Sequence, residues 1–299
     1  MDKLNALYGA LLGDAVGVPY EFKDPMSLPE RKLIDITPPS LDMMGQKFNR
    51  TYGMPDGTWS DDGALLLCLL ESLMKGTEGT EWMRGFAGRA INWRKHGYMA
   101  IGGRVFDIGN QTACALSEIE DGADPTTRVD DDWASGNGAL MRGLAPALVA
   151  TSEEEAVRLG GLHSIVTHAT EDSISACKVY AALAYKLLNG GKFEESLQEA
   201  LVHASPTLRA YEHNEVNGRG WVVDSFWSAI WAVRQGTDFR STIQHAISLG
   251  DDTDTTACIA GGLAGAMYEV PGDWLAKLRG HDLLVPFVEF LWPTVADGD

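Results

Sequence analysis

Apolar residues recur every three or four positions along most of the chain, whereas alternating apolar and polar patterns are short. The first spacing is that of an α-helix with one buried face, and the second is that of a strand. No linker or internal repeat divides the pattern. We therefore predict a single compact all-α domain of many helices over residues 1–299. The predicted helices cover residues 4–18, 64–75, 80–95, 113–119, 153–169, 171–189, 193–204, 222–235 and 257–268, with one or two more in 273–291.

Two of these helices are rich in small residues. In the first helix, Gly9, Gly13 and Gly17 recur every fourth position and make a smooth stripe. Because glycine inside a helix costs about 1 kcal/mol relative to alanine, three on one face predict close contact with another backbone. The helix over 257–268 consists mostly of small residues, which predicts a central position in the fold.

Two acidic stretches stand directly before predicted helices, at 60–62 and at 251–255. Either one alone is explained by helix capping, since Ser and Asp are favoured N-caps and acids suit the positive end of the helix dipole. Brought together they need a cation, because two like charges ~4 Å apart repel by about 4 kcal/mol at an effective dielectric near 20. The ligands are all oxygen, which favours Mg²⁺, Mn²⁺ or Ca²⁺ over Zn²⁺, and their number suits two ions. The predicted metal ligands are Ser60, Asp61, Asp62, Asp252, Asp254 and Thr255.

Three other acids are candidates for chemistry or support. Glu21 follows the first helix and is either a surface acid or part of the site. Asp14 lies among small apolar residues, which predicts a buried capping or supporting role. Asp107 stands before a glycine-containing turn and is either a helix cap or a catalytic acid.

A turn with two glycines opens the segment from Gly136 to Arg142. Such a turn can present several backbone N–H groups to phosphate oxygens, although a plain helix-opening turn is an equal alternative. Arg142 either binds phosphate or ties the turn down. His168 is either structural or catalytic, and Trp221 either stacks on a base or belongs to the core. The acidic run 130–132 is interpreted as a solvated loop.

Charge and cysteine content limit the partners and the compartment. The net charge of −18 argues against nucleic acids and anionic membranes as partners. No apolar run is long enough to span a bilayer, and the first residues lack a signal-peptide pattern. None of the four cysteines forms a CxxC pair, so we expect buried free thiols and a cytoplasmic protein. These cysteines are Cys68, Cys114, Cys177 and Cys258.

Taken together, the motifs resemble the ADP-ribosylglycohydrolase family, and most of all its bacterial branch that reactivates ADP-ribosylated dinitrogenase reductase. The resemblance runs through almost the whole chain, and its most specific feature is an acidic pair near each end. The motifs that carry it are Gly13-Asp14-Ala15 with Glu21, Ser60-Asp61-Asp62, Asp107-Ile108-Gly109-Asn110, Gly136-Asn137-Gly138 with Arg142, Thr167-His168, Val223-Asp224, and Gly250 through Thr256.

This resemblance implies an all-helical domain with two Mg²⁺ or Mn²⁺ ions in a cleft, held by the six ligands named above. It places Glu21 beside the metals and gives Asp107 a part in catalysis. It also implies that the turn at Gly136 holds the diphosphate of ADP-ribose. The implied substrate-binding residues are Gly109, Asn110, Ser135, Gly136, Asn137, Gly138, Met141, His168 and Trp221.

The implied activity is removal of ADP-ribose from a modified protein side chain, with ADP-ribosyl-arginine as the first expectation. Independently of the resemblance, we expect a monomer. Thr170 stands where many members of the family have a second His, and Trp221 stands where a near relative has Tyr, so both residues leave the acceptor open. The alternatives are a hydrolase of ADP-ribosyl-serine or O-acetyl-ADP-ribose, and an inactive relative that binds ADP-ribose or has a structural role.

Overall fold

The computed structural model of the protein describes residues 3–45, 53–130, 134–212 and 214–293. Within these ranges it contains fourteen α-helices, short 3₁₀ turns and no strand, which confirms the predicted all-α class. The helices are α1 (Lys3–Gly17), α2 (Asp61–Leu73), α3 (Glu81–His96), α4 (Asn110–Glu120), α5 (Leu144–Val149), α6 (Glu153–Ile165), α7 (Glu171–Leu188), α8 (Phe193–Ala200), α9 (Pro206–Ala210), α10 (Val222–Gln235), α11 (Phe239–Ile247), α12 (Thr253–Met267), α13 (Gly272–Leu275) and α14 (His281–Leu291).

Helices α1 and α12 are packed with their backbones in contact. A Cβ atom added to Gly9 would lie 2.3 Å from the carbonyl oxygen of Gly261, and one added to Gly13 would lie 2.0 Å from that of Ala257. At Gly17 the added atom would lie 2.3 Å from the Cα of Asp254. The helices are therefore antiparallel, so the C-terminal end of α1 meets the N-terminal end of α12. The predicted role of the glycine stripe is confirmed.

Helix α12 occupies the centre of the fold. Every residue from Thr253 to Ala266 is buried, and α1, α7, α10 and α11 contact it. Its small side chains allow this, because neighbouring helices can approach closely on several sides. Within the described residues, no helix has both the length and the apolar content needed to cross a bilayer.

Several predicted boundaries differ from the structure. The helix predicted over 153–169 ends at Ile165, so Thr167 and His168 lie in the following turn. The helix predicted over 193–204 ends at Ala200 and continues only as a 3₁₀ turn. Helices α9 and α11 were not predicted.

The expectation of four buried thiols is wrong for one cysteine. Cys68, Cys177 and Cys258 are buried, whereas Cys114 is exposed. Helix α4 lies at the surface and buries only Thr112, Ala115 and Leu116, so position 114 faces solvent.

Candidate functional site

The two acidic stretches meet at the starts of α2 and α12. Ser60 is the N-cap of α2, and its side-chain oxygen accepts a hydrogen bond from the Asp62 N–H at 3.2 Å. Asp252 is the N-cap residue of α12. The hydroxyl of Thr255 donates to Asp62 Oδ1 at 3.2 Å, which joins residues 193 positions apart in the sequence. Capping by a side chain therefore holds at α2, whereas the Asp252 side chain makes no capping hydrogen bond at α12. The two stretches do lie together, as the clustering interpretation expects.

Asp14 fastens the start of α2 to α1. Its carboxylate is fully buried and accepts the backbone N–H of Ser60 at 2.9 and 3.0 Å and that of Gly63 at 2.7 Å. Because both oxygens already accept backbone donors, Asp14 supports the site through α2. This matches the buried supporting role that its sequence context predicted.

Carboxylates from four segments form two groups that share one member. One oxygen each from Asp14, Asp62 and Asp254 lies within 4.8 Å of the other two, and the same holds for Glu21, Asp107 and Asp254. Asp254 therefore stands between two neighbouring sets of oxygen atoms. The backbone bridge between Lys23 and Asp251 brings the segment after α1 to this place.

The electrostatics of these groups favour a bound cation. Burial, followed by repulsion from neighbouring carboxylates, raises the pKa values of Asp61, Asp62 and Asp254 well above their usual range. Burial raises the pKa of Glu21 to about 10, with Asp107 contributing next. Glu21 Oε2, Asp62 Oδ2 and Asp254 Oδ2 are buried and accept no hydrogen bond from the described residues. Buried carboxylates of this kind are expected to bind protons or a metal ion.

A cavity of about 360 Å³ opens above the carboxylates, a size within the range of small-molecule sites. Among the described residues its wall contains no lysine or arginine. Most of the predicted site residues line it. The lining residues are Glu21, Phe22, Asp61, Asp62, Asp107, Ile108, Gly109, Asn110, Gln111, Thr112, Gly136, Asn137, Gly138, Met141, His168, Gly220, Asp252 and Thr255.

Two predicted metal ligands lie beneath the wall. The Ser60 side chain is 3% exposed and caps α2. Asp254 is 1% exposed, and its Oδ1 accepts the N–H of Thr255 at 3.0 Å, which leaves Oδ2 without a hydrogen bond from the described residues.

Two predicted substrate-binding residues lie outside the wall. Ser135 donates a hydrogen bond to Thr170 Oγ1 at 3.0 Å, which links the turn to the N-cap of α7. Trp221 is half-buried and meets the Tyr211 ring edge-on, with 4.9 Å between centroids. Its neighbour Gly220 lines the cavity instead.

The turn at Gly136 is fixed from both sides. Asn137 donates from its side chain to Asp252 Oδ2 at 2.7 Å, and from its backbone to the carbonyl of Gly220 at 3.0 Å. His168 lies against the turn, because a Cβ added to Gly138 would come within 2.9 Å of its ring. Only glycine fits between the turn and this ring.

Arg142 secures the turn from inside the protein. It is fully buried, donates to Thr167 Oγ1 at 2.6 Å and to the His163 carbonyl at 3.3 Å, and also donates to the Gly138 carbonyl. Of the two roles that the sequence left open, the structure favours tying the turn down. Burial and the nearby Arg142 charge lower the pKa of His168 to about 3, so its ring is neutral near pH 7.

Sequence reasoning missed several wall residues and misjudged one acid. Asp130 was interpreted as part of a solvated run, and residues 131 and 132 of that run lie outside the described residues. The Asp130 carboxylate is instead buried, and it accepts from Gln111 Nε2 at 3.1 Å and from the Ala169 N–H at 2.7 Å. Phe22 and Gln111 adjoin predicted site residues in sequence, so proximity alone was the available signal. Asp130 carried no such signal.

Backbone strain collects around the cavity. Phe22, Asp107 and Asp251 have φ values of 59°, 51° and 52°, in the left-handed region that residues other than glycine rarely adopt. Such residues cost on the order of 1–3 kcal/mol each and cluster at functional sites.

Comparison with known proteins gives consistent matches over nearly the whole chain. A family model described as ADP-ribosylglycohydrolase matches residues 3–297. ADP-ribosylarginine hydrolase Tri1 of Pseudomonas putida (strain GB-1) is 32% identical, and the match covers 91% of this chain and 73% of the relative. The Tri1 hydrolase of Serratia proteamaculans (strain 568) is 29% identical, with 98% and 80% covered.

Two further matches extend this result. The ADP-ribosyl-[dinitrogen reductase] glycohydrolase of Rhodospirillum rubrum is 27% identical, with 92% of this chain and 89% of the relative covered. A solved structure described as an ADP-ribosylglycohydrolase-related protein complex superposes with a TM-score of 0.75 at 28% identity, covering 97% of this chain and 94% of that one. The resemblance inferred from the motifs is thus confirmed, and the two Tri1 hydrolases share more identity with the chain than the dinitrogen reductase enzyme does.

Proposed function

The chain belongs to the ADP-ribosylglycohydrolase family, and from this membership and the geometry of the cavity we propose that it removes ADP-ribose from modified arginine side chains of proteins. The observation that carries the proposal is the contact between Thr255 and Asp62, which joins the two acidic helix starts beneath the cavity. Arginine is favoured as the acceptor because the two Tri1 relatives are named ADP-ribosylarginine hydrolases.

The proposed cofactors are two divalent cations, Mg²⁺ or Mn²⁺. The donor set fits them, because it consists of oxygen atoms, and two of its buried carboxylate oxygens, Asp62 Oδ2 and Asp254 Oδ2, accept no hydrogen bond from the described residues. Asp254 belongs to both carboxylate groups, and in one of them it lies beside Asp62, a second proposed ligand. Bound cations would supply positive charge and Lewis acidity where the ribose enters. The proposed ligands are those of the sequence prediction: Ser60, Asp61, Asp62, Asp252, Asp254 and Thr255.

The proposed reaction cleaves the bond between ribose C1″ and a guanidine nitrogen of the modified arginine. The oxygen of one water molecule bonds to C1″, the water gives up a proton, and the departing nitrogen takes up a proton. The products are ADP-ribose and unmodified arginine, and an oxocarbenium-like transition state is expected as in other glycosyl transfers.

Glu21 and Asp107 are the proposed acid–base pair for these two proton transfers. Both line the cavity, and a hydrogen bond between the two side chains requires that they share a proton. In the metal-free protein, burial and the neighbouring Asp107 raise the pKa of Glu21 to about 10, which favours a proton on this pair. Acid–base catalysis of this kind contributes about 10²–10⁴-fold.

The turn at Gly136 and the side chain of His168 form the proposed diphosphate side of the cavity. Glycine at 136 and 138 lets the diphosphate approach the backbone closely. Asn137 positions Asp252 by hydrogen bonding to its carboxylate, which couples substrate binding to the acidic cluster.

The test is hydrolysis of a protein that carries ADP-ribose on arginine, with Mn²⁺ or Mg²⁺ present. We expect release of ADP-ribose that stops when the metal is chelated. Substrates linked through serine or through the O-acetyl ester, tested in parallel, distinguish the alternatives. Absence of release from the arginine-linked protein, at metal concentrations shown to bind the protein, would contradict the proposal.

A further inference from the structure

Five exposed apolar side chains lie in the segment that follows the first helix. We name them the mouth patch: Phe22, Met26, Leu41, Met43 and Met44. Their exposed fractions run from 52% for Leu41 to 84% for Met26. Single exposed apolar residues are normal on protein surfaces, whereas a group of them in one place marks an interaction site.

The two ends of this segment lie side by side. The Met43 N–H donates to the Ser27 carbonyl at 3.1 Å, and Lys23 Nζ lies 3.0 Å from Asp42 Oδ2. These contacts place the strip from Phe22 to Met26 next to the strip from Leu41 to Met44. The five exposed side chains therefore lie on two adjacent strips of the chain.

Phe22 connects this surface to the cavity. It lines the cavity wall, yet its side chain is 64% exposed. Its N–H donates to the Asp251 carbonyl at 2.7 Å, and both residues have left-handed backbone conformations. The strained pairing thus holds an exposed aromatic ring at the entrance, one residue after Glu21.

We propose that the mouth patch receives apolar side chains of the substrate polypeptide next to the modified arginine, an inference that rests on the proposed function. A polypeptide whose ADP-ribosyl group fills the cavity leaves the entrance beside Phe22. With the ADP-ribosyl group inside the cavity, the side chains that flank the modified arginine lie outside it, next to the mouth patch. Methionine side chains are flexible and polarizable, which suits a surface that accepts different apolar neighbours.

The net charge of the protein favours a polypeptide over a membrane as the occupant of the mouth patch. The net charge of −18 opposes binding to an anionic lipid surface and favours a segment that carries basic residues, such as one that contains arginine. A second copy of the chain would carry the same negative charge, and it is tested as a separate outcome below.

The experiment compares three substrates: free ADP-ribosyl-arginine, and two synthetic peptides with one ADP-ribosyl-arginine flanked by leucines or by serines. We expect kcat/KM of the wild-type protein to be about tenfold higher for the leucine-flanked peptide, the effect of burying about one apolar side chain. The variant with Met26→Ser, Met43→Ser and Met44→Ser should lose this preference and keep the wild-type rate on free ADP-ribosyl-arginine.

Two controls make the result specific. Val202→Ser changes a residue that is 69% exposed and outside the mouth patch, and it should keep the preference. Replacing the same three methionines by leucine should keep it as well, because the patch stays apolar.

Equal kcat/KM for the two peptides, or a preference that survives in the serine variant, would overturn the proposal. So would a wild-type dimer that the serine variant converts to a monomer without changing the preference, since the patch would then belong to a second copy. Failure to hydrolyse even free ADP-ribosyl-arginine, with metal bound, would instead refute the proposed function and remove the basis of this inference.

Discussion

Asp254 is the residue at which the two carboxylate groups converge. It is buried, its pKa is raised well above the usual range by burial and then by repulsion from Glu21 and Asp62, and its Oδ2 accepts no hydrogen bond from the described residues. A buried carboxylate of this kind destabilises a metal-free protein unless it is protonated. A bound cation compensates its negative charge.

Replacing Asp254 by asparagine should therefore lower the hydrolysis rate and raise the stability of the metal-free protein. Asp254→Asn keeps the side-chain shape and removes one charge, so we expect hydrolysis of the arginine-linked substrate to fall by at least about 10²-fold. The metal-free variant should be more stable than the metal-free wild-type protein at about pH 8, by about 1–4 kcal/mol, because a neutral asparagine needs no proton from solution when the chain folds. Asp61→Asn should behave in the same way. Urea unfolding in the presence of a chelator and the hydrolysis rate measure the two effects.

Asp121→Asn is the matched control, because Asp121 is an exposed acid directly after α4. It should change neither quantity. Wild-type activity in Asp254→Asn or in Asp61→Asn would show that the proposed ligand set is wrong.

The sequence revealed those site residues that belong to a recognisable local pattern in the chain. Asp61, Asp62, Asp252 and Asp254 stood out because adjacent acids at a helix start are a local pattern. Asp130 did not, because its partners Gln111 and the Ala169 N–H come from other segments, and only the folded chain brings them together. Likewise, Trp221 was predicted to bind substrate, and its ring meets Tyr211 outside the cavity wall. An aromatic residue carries no local sign in the sequence of the direction its side chain faces.

Among the secondary-structure elements, the pair of helices α1 and α12 positions the site. Gly13 lies one residue before Asp14, and its neighbour across the interface is Ala257, three residues after Asp254. Any increase in the distance between these helices separates the support of α2 from the shared carboxylate.

Gly13→Ala should therefore affect stability and activity together. The added Cβ would lie 2.0 Å from the Ala257 carbonyl oxygen, so one of the two backbones must move. We expect a loss of roughly 1–3 kcal/mol or more in the free energy of unfolding. A shift of about 1 Å in the acidic cluster should also lower the hydrolysis rate about 10²-fold. Thermal unfolding and the hydrolysis assay check both.

Gly88→Ala is the control for this prediction. Gly88 is also inside a helix, α3, but a Cβ added there meets no atom within 4 Å. Because alanine favours helix by up to about 1 kcal/mol over glycine, this variant should be as stable as the wild type or more so, with unchanged activity. Equal damage from both substitutions would contradict the importance of the α1–α12 contact.

For the secondary-structure elements, the sequence predicted the long helices well and the short helices poorly. Helix α1 was found because its apolar spacing is long and regular. Helix α11 was missed because its nine residues include Arg240, Ser241, Gln244 and His245. Its available signal was the cap, since the Asp238 side chain accepts the Ser241 N–H and the Ser241 hydroxyl interacts with the Asp238 backbone.

For the whole molecule, the buried acids predict how stability depends on pH without metal. Burial raises the pKa of Glu21 to about 10, far above that of an unfolded glutamate, and raises the pKa values of Asp61, Asp62 and Asp254 as well. The native protein then holds protons that the unfolded chain has released, so this stability is lost as the pH rises towards the native pKa values.

The metal-free protein should accordingly lose about 1 kcal/mol or more of unfolding free energy between about pH 7 and about pH 8. In this window the three buried histidines, His163, His168 and His245, have lowered pKa values and are neutral in the native protein, and they are mostly neutral in the unfolded chain, so they contribute little. Urea unfolding with a chelator at the two pH values measures the change.

Added Mg²⁺ or Mn²⁺ should flatten or reverse this trend, because ligands must lose their protons to bind a metal. Sodium chloride at the same ionic strength is the control and should leave the trend in place. A metal-free protein that gains stability over this range would contradict the electrostatic account of the site.

The claim on which the account depends is that the starts of α2 and α12 hold divalent cations together. Anomalous X-ray scattering from crystals of the protein soaked in Mn²⁺ tests it most directly. The account predicts manganese peaks among the carboxylates of Asp62 and Asp254, and it predicts that they disappear in Asp254→Asn. A well-ordered Asp62–Asp254 region with no manganese peak between these side chains, in crystals that bind manganese elsewhere, would contradict it.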